Sequence, residues 1–226
     1  MQTLTRDEFL TVFDLTSGAF DQLQHAGHVA LAFGTPFPAT PGRYLDLDLV
    51  AMAINLGLSA WLGRERSTAI VAGFFHQWAS AVGHAEASPK KEFFLGVGGV
   101  RWDAAKKGPE LLVVTHGTLD QITKDFRATK DLVGFFTVNI SDIIRRLRMR
   151  AQQRGIDLSR PFFFPPDDPR FDQILTQAKR ERDGRIARLR RDKNKLATAK
   201  ARRRLQGITA VSRVANLKYP FEMQEI

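Results

Sequence analysis

The division of charge constrains this chain more than any other feature. Between Arg145 and Arg204 stand 20 Lys or Arg against 7 Asp or Glu, a local balance of +13. The whole chain carries +10, so everything outside that window sums to −3. A chain divided in this way is a near-neutral body carrying one cationic arm. Such an arm requires an anionic partner or full solvation.

The arm, 169–206, reads as one long helix. Asp167 and Asp168 are placed to cap its start, and Pro169 suits the first helical turn, where a missing N–H is no loss. Ala, Leu, Arg, Lys and Gln dominate it, all good helix formers, and Gly207 is a natural stop. A continuous rod of this length spans roughly 55 Å. Gly184 is its weak point, costing about 1 kcal/mol against Ala. Phe171, Leu175 and Ala178 make one apolar stripe; Ile186, Leu189 and Leu196 make another, interrupted by Lys193 and Arg203. That seam is too narrow for a regular coiled coil. The one-sided charge favours a helix that neutralises phosphates over a solvated helix laying a thin stripe on the body.

A hydrophobic fraction of 43% is enough for a packed core. With no cysteine, disulfides, thiol nucleophiles and thiolate-ligated zinc are excluded. The start, MQTLTRDEFL, carries Asp7 and Glu8 and no apolar core of a signal peptide. The longest apolar stretch, Ala69–Val82, is interrupted by His76 and Gln77 and is too short to cross a bilayer. A soluble, cytoplasmic protein with no membrane partner is expected.

Along the chain, Thr5 with Glu8 forms a capping box for a first helix through Phe9, Leu10 and Phe13. Thr16 or Ser17 caps a second, with Phe20 and Leu23 inward and Gly27 at its end. Together they make a helix-turn-helix pattern. Val29, Leu31 and Phe33 alternate as a strand, and Arg43–Tyr44–Leu45 is expected to return beside it as a hairpin. A helix then runs from Asp46 or Asp48 to Gly63, and another from a Ser67 cap to Gly83, with Phe74, Phe75, Trp78 and Trp61 packing together. From about 89 to 158 the pattern becomes β-β-α-β-α: EFFLGVGGVRWD, ELLVVTH, a helix capped by Thr118 with Gln121, LVGFFTVNI, and a helix capped by Ser141 and ended by Gly155. In SRPFFFPPDDPR, Phe162, Phe163 and Phe164 are too apolar for a free linker and are expected to dock.

The order helix, helix, hairpin, helix, helix resembles the winged-helix head of MerR-type transcription regulators. The resemblance rests on EFLTVFDLTSGAFDQLQHAGHV and GRYLDLDLVAMAINLGLSAWLG and covers roughly the first third of the chain. Arg43, Tyr44 and Asp48 match the family's R-Y-x-x-x-D-type helix start. The resemblance implies that the helix Ser17–Ala26 enters the major groove and that Arg43 and Tyr44 touch the backbone. Two departures stand out. The candidate reading face, Ser17, Asp21, Gln22, Gln24 and His25, has no Arg or Lys, and the wing loop with Pro36, Pro38 and Pro41 is long. Gln can read adenine, whereas Asp21 is repelled by phosphate. Affinity must therefore come from the arm, unless the head binds protein instead.

Other constellations carry less. GVGGV at Gly96–Val100 fits neither a dinucleotide fingerprint nor a P-loop and reads as a bulged strand. His76 reads as a half-buried structural histidine. His25 and His28 lack a third ligand, so no metal site is expected. His116, before Gly117–Thr118 and a helix start, is the best-placed residue for ligand chemistry, but it has no carboxylate or nucleophile partner in sequence. Arg145, Arg146, Arg148 and Arg150 form a second basic element on the helix after Ser141.

The expected fold class is α+β: an N-terminal winged helix-turn-helix head with its following helices (1–83), a small α+β unit (84–158), a Pro-rich hinge (159–168), a long basic C-terminal helix (169–206) and a tail (207–226). The expected function is DNA binding in transcriptional control, or as an accessory factor of a mobile element. No catalytic residue, cofactor or metal is expected. The nucleic-acid-binding residues are Ser17, Gln22, Gln24, His25, Arg43, Tyr44, Arg145 and Arg148, joined on the arm by Lys179, Arg182, Arg185, Arg188, Arg190, Arg191, Lys193, Lys195, Lys200, Arg202, Arg203 and Arg204. Double-stranded DNA is the expected partner, with a homodimer paired through the long helix. RNA or a ribonucleoprotein is the alternative, and a nucleic-acid-processing enzyme the third.

Overall fold

The computed structural model describes residues 2–32, 38, 42–103, 108–174, 176 and 180. The chain divides into two units, Met1–Lys179 and Arg180–Ile226. Apart from Arg180, the second lies outside the described residues, and with it most of the predicted basic helix and all of the tail.

The first unit is α+β. It opens with a short strand, β1 (Thr3–Thr5), that runs straight into α1 (Arg6–Val12). The Thr5–Glu8 capping box forms as expected, with Glu8 Oε2 accepting from Thr5 N at 2.7 Å. Thr16 caps α2 (Ser17–His25) by accepting from Ala19 N at 3.2 Å, and Gly27 turns the chain at φ 70°.

Among the described residues the predicted hairpin does not form; Phe33 of its first strand and most of the wing loop, Pro36 and Pro41 included, lie outside them. Val29 to Ala32 are all buried and are not a strand, so they do not alternate between core and solvent. Side chains from the following helix satisfy their backbone instead: Ala32 N donates to Asp48 Oδ1 at 2.8 Å, and His28 O accepts from Asn55 Nδ2 at 2.9 Å. The strand at 43–45, β2 (Arg43–Leu45), pairs antiparallel with β1, Leu4 opposite Tyr44. Two buried aspartates bolt this pair to α3 (Asp46–Leu62): Asp46 accepts from Gln2 N and Asp48 from Leu45 N, both at 2.8 Å. Burial raises the Asp46 carboxyl above its ordinary value, against the N–H groups of Gln2 and Leu47 that donate to it.

The helix predicted over 67–83 is two helices. Gly63, at φ 77°, starts α4 (Arg64–Gly73) directly, and Ser67 is a buried residue bonded back to Arg64 O instead of a cap. The chain breaks at Phe74 and resumes as α5 (Phe75–Ala87), where Trp78 Nε1 donates to the Val71 carbonyl at 3.0 Å. Gly83 is no stop. A Cβ there would run into the Phe164 carbonyl, so the glycine lets the hinge lie directly on α5.

Three antiparallel strands follow in the order β4-β3-β5: β3 (Phe94–Asp103), β4 (Gly108–Gly117) and β5 (Leu132–Asn139), with α6 (Leu119–Ala128) between the last two. Alternation along β3 builds two layers. Leu95 and Val97 enter the main core, which also draws on α1, α2, α3, α4, α5 and the helix after β5, α7 (Ile140–Gln153). Gly96 and Gly98 face the other way, where a Cβ would collide with Ile122 and Phe126 of α6. Gly96 and Gly98 of GVGGV are therefore packing residues, and the expected bulge falls at Gly99/Val100. Asn139, not Ser141, caps α7, accepting from Asp142 N at 2.9 Å; Ser141 Oγ instead accepts from Phe93 N at 3.0 Å. Phe162 and Phe163 are buried, as their apolarity requires, and residues 169–174 begin a helix at Pro169.

Candidate nucleic-acid interface

The inward face of α2 is set by Phe20, and Gln24 lies one turn later on the same side. Gln24 is accordingly 5% exposed, and its side chain bonds that of Tyr44, itself 2% exposed. Tyr44 stacks on Phe9 at 4.3 Å and meets Phe20 edge-on at 6.0 Å. Burial raises its phenol above the ordinary value. These two residues, expected on the surface, are an internal polar pair. The i,i+4 step from Phe20 to Gln24 was the signal in the sequence.

Ser17, Gln22, His25 and Arg43 are exposed. Arg6 crosses the start of α2. Its guanidinium meets Asp21 at 2.6 Å and donates to Ser17 Oγ at 3.1 Å and to Ser17 O at 3.3 Å. The acidic charge that should repel phosphate is thus offset by a cation that spacing alone did not single out. The Asp21 bond to Arg6 raises the arginine further. His25 Nδ1 lies 2.7 Å from Asp21 O, and because a carbonyl only accepts, Nδ1 carries the proton. In a neutral ring Nε2 is then the acceptor. This face therefore offers an amide, an imidazole and a guanidinium, which can read base edges and hold one phosphate.

The arginines of α7 behave differently. Arg145 meets Glu92 at 2.9 Å and Asp142 at 3.4 Å, and Glu92 is held below the ordinary carboxylate value by Arg145 and Asn139. Arg146 meets Asp142 at 2.6 Å. Arg148 donates to both oxygens of the mostly buried Glu86, at 2.8 and 2.9 Å, and to the carbonyls of Leu158 and Arg160. It also lies over the Phe162 ring at 5.2 Å. Phe162 N donates to the same Glu86 carboxylate. Arg148 is therefore a bolt for the hinge, not a free phosphate ligand. Farther on, Arg154 pairs with Asp14, and Arg170 pairs with Asp168, lowering that carboxyl to about 2.

His116 packs parallel to His84 at 6.0 Å, and His84 stacks on Phe93 at 5.4 Å. Burial, then His84 and His76, lower the His116 imidazole below its ordinary value. At the neighbouring helix start Thr118 Oγ1 accepts from Gln121 N. Among the described residues no group of three or more His, Asp or Glu is placed to hold a metal ion. The arm residues Lys179, Arg182, Arg185, Arg188, Arg190, Arg191, Lys193, Lys195, Lys200, Arg202, Arg203 and Arg204 lie outside the described residues. No helix among the described residues is long and apolar enough to cross a membrane.

Neither a family model nor a curated protein matches the chain.

Proposed function

We propose that the chain is a DNA-binding protein acting in the cytoplasm, in transcriptional control or as an accessory factor of a mobile element. Its task is binding, not catalysis. The observation that carries this reading is where charge remains after the body has paired its own. Five of the arginines between Arg145 and Arg170 meet carboxylates. From Lys179 to Arg204 there are 13 Lys or Arg against 3 Asp or Glu, a balance of +10, so the rest of the chain sums to zero. The whole excess is on the arm, where few acids of its own can neutralise it, and duplex phosphates are its natural counter-charge.

The head adds selectivity in this reading. Supporting it are two capped helices joined by a short turn, an exposed Gln22–His25 face, and a strand, β2, that presents Arg43 and leads directly into α3. The resemblance to a winged helix-turn-helix is retained with a changed pairing, since β2 returns to β1. A two-fold dimer paired through the arm completes the proposal.

Removing 179–226 is expected to weaken duplex binding at least tenfold and to flatten its dependence on salt. Titrating DNA at several salt concentrations against full-length and shortened protein checks this. Equal slopes would show that the arm is merely solvated.

A further inference from the structure

Trp61 breaks the pattern that made α3. It lies seven residues after Ile54, nearly two whole turns, and so falls on the face that Ile54 and Leu58 bury completely. Yet it is 78% exposed, the most exposed of the large apolar side chains described. The reason is that the core thins at the last turn: 59–65 are all exposed or half-buried, with Leu62 still packed on the core, and the chain passes at Gly63 into α4. Leu56, the other exposed large apolar side chain of α3, sits about 140° away round the helix. Trp61 is therefore a single ring, not part of an apolar patch of the kind a protein partner buries.

Arg64 and Arg66 follow at once, the first exposed and the second half-buried. Unlike Arg145, Arg146 and Arg148 of α7, neither makes an ion pair among the described residues. Glu65 leaves the segment with one net positive charge. Three residues of chain reach at most about 11 Å, so the Arg64 guanidinium can serve the same nucleotide that the ring touches.

We infer that Trp61, with Arg64 and Arg66, is a stacking site for an unpaired base of single-stranded nucleic acid, distinct from the arm. The indole covers the π-face of the base, and the guanidinium takes the adjoining phosphate. A paired base has both faces covered by its neighbours, so a duplex cannot offer this contact without unstacking. The inference rests on the nucleic-acid reading above and adds the strand state.

The test titrates full-length protein with an oligothymidylate and with a duplex of equal length, following indole emission and affinity. Trp61→Ala, Trp61→Phe and Arg64→Gln are compared with wild type. Trp78 is buried with its N–H bonded to Val71 O, so it is a shielded reference. The single strand is expected to quench emission, and Trp61→Ala to remove most of that quench and weaken single-strand binding about tenfold. Trp61→Phe keeps most of the affinity, Arg64→Gln lowers it together with the salt slope, and duplex affinity is the same in all four proteins. Single-strand affinity unchanged in Trp61→Ala overturns the inference alone. Loss of self-association in Trp61→Ala at unchanged oligonucleotide affinity also overturns it, assigning the ring to a protein contact. Failure of both strand states to bind wild type overturns the nucleic-acid reading, and this inference with it.

Discussion

On α7, arginine after arginine finds a carboxylate: Arg145 on Glu92, Arg146 on Asp142, Arg148 on Glu86, and Arg154, just past its end, on Asp14. On α2 the one acidic side chain, Asp21, is covered by Arg6, while Gln22 and His25 stay exposed. By composition α7 is basic, yet among the described residues every arginine on it but Arg150 is paired with a carboxylate. By composition α2 is hostile to phosphate, yet its acid is offset. Charge counted along a sequence is therefore a poor guide to charge available at a surface. Carboxylates 53 to 140 positions away decide much of the balance on α7. Glu86 and Asp14 approach it only through the fold. The contrast also separates a structural role from the binding role proposed for α2. Arg148 holds the hinge segment through Glu86 and two carbonyls, whereas the Gln22 side chain is exposed.

If that contrast is right, the largest effect belongs to the bolt. Glu86→Ala leaves the Arg148 guanidinium without its counter-ion and Phe162 N without its acceptor, and is expected to cost about 3 kcal/mol in urea unfolding. A loss under about 1 kcal/mol would mean that the hinge is held by its phenylalanines alone. Next comes Gly83→Ala, where the new methyl group must displace the Phe164 carbonyl. Because that atom is backbone, about 2 kcal/mol of destabilisation is expected. A neutral result would show that the hinge lifts freely from α5.

A smaller, pH-dependent effect tests the same packed side of the molecule. The His116 imidazole sits below its ordinary value of 6.5 because it is buried beside His84 and His76. The unfolded chain then takes up the proton first. His116 contributes its full stability above pH 6.5 and loses it as pH falls from there through the folded value. Unfolding measured from about pH 8 down to about pH 5 is expected to show this decline, and His116→Gln to reduce it. The smallest effect on stability belongs to α2. Gln22→Ala with His25→Ala is expected to leave unfolding within about 0.5 kcal/mol of wild type, while relaxing preference among DNA sequences by about 1–3 kcal/mol per lost base contact. An unchanged selected motif would remove α2 as the reading element.

The features that local chemistry dictates were legible in the chain. Thr5 with Glu8, Thr16, Gly63 and Gly155 mark helix ends where a side-chain oxygen or a positive φ is required. The three strands over 94–139 and the docking of Phe162 and Phe163 also follow from apolar patterning. The site was less legible. Gln24 and Tyr44 are polar by composition but lie on the buried sides of their elements, where each satisfies the other. Trp61 departs from expectation in the opposite direction. Its helical face is the core face, but at Trp61 the core no longer covers it.

Short-range rules thus set the helices, their caps, the α+β class and the concentration of positive charge beyond Lys179. Tertiary structure alone decided which strand β2 pairs with, why Gly83, Gly96 and Gly98 must lack a side chain, and which arginines are already paired. The physical reason is range. A cap or a helical period is written within about four residues. A strand partner, a close backbone approach or a counter-ion depends on segments far apart in the chain, whose approach is fixed only when the whole core packs.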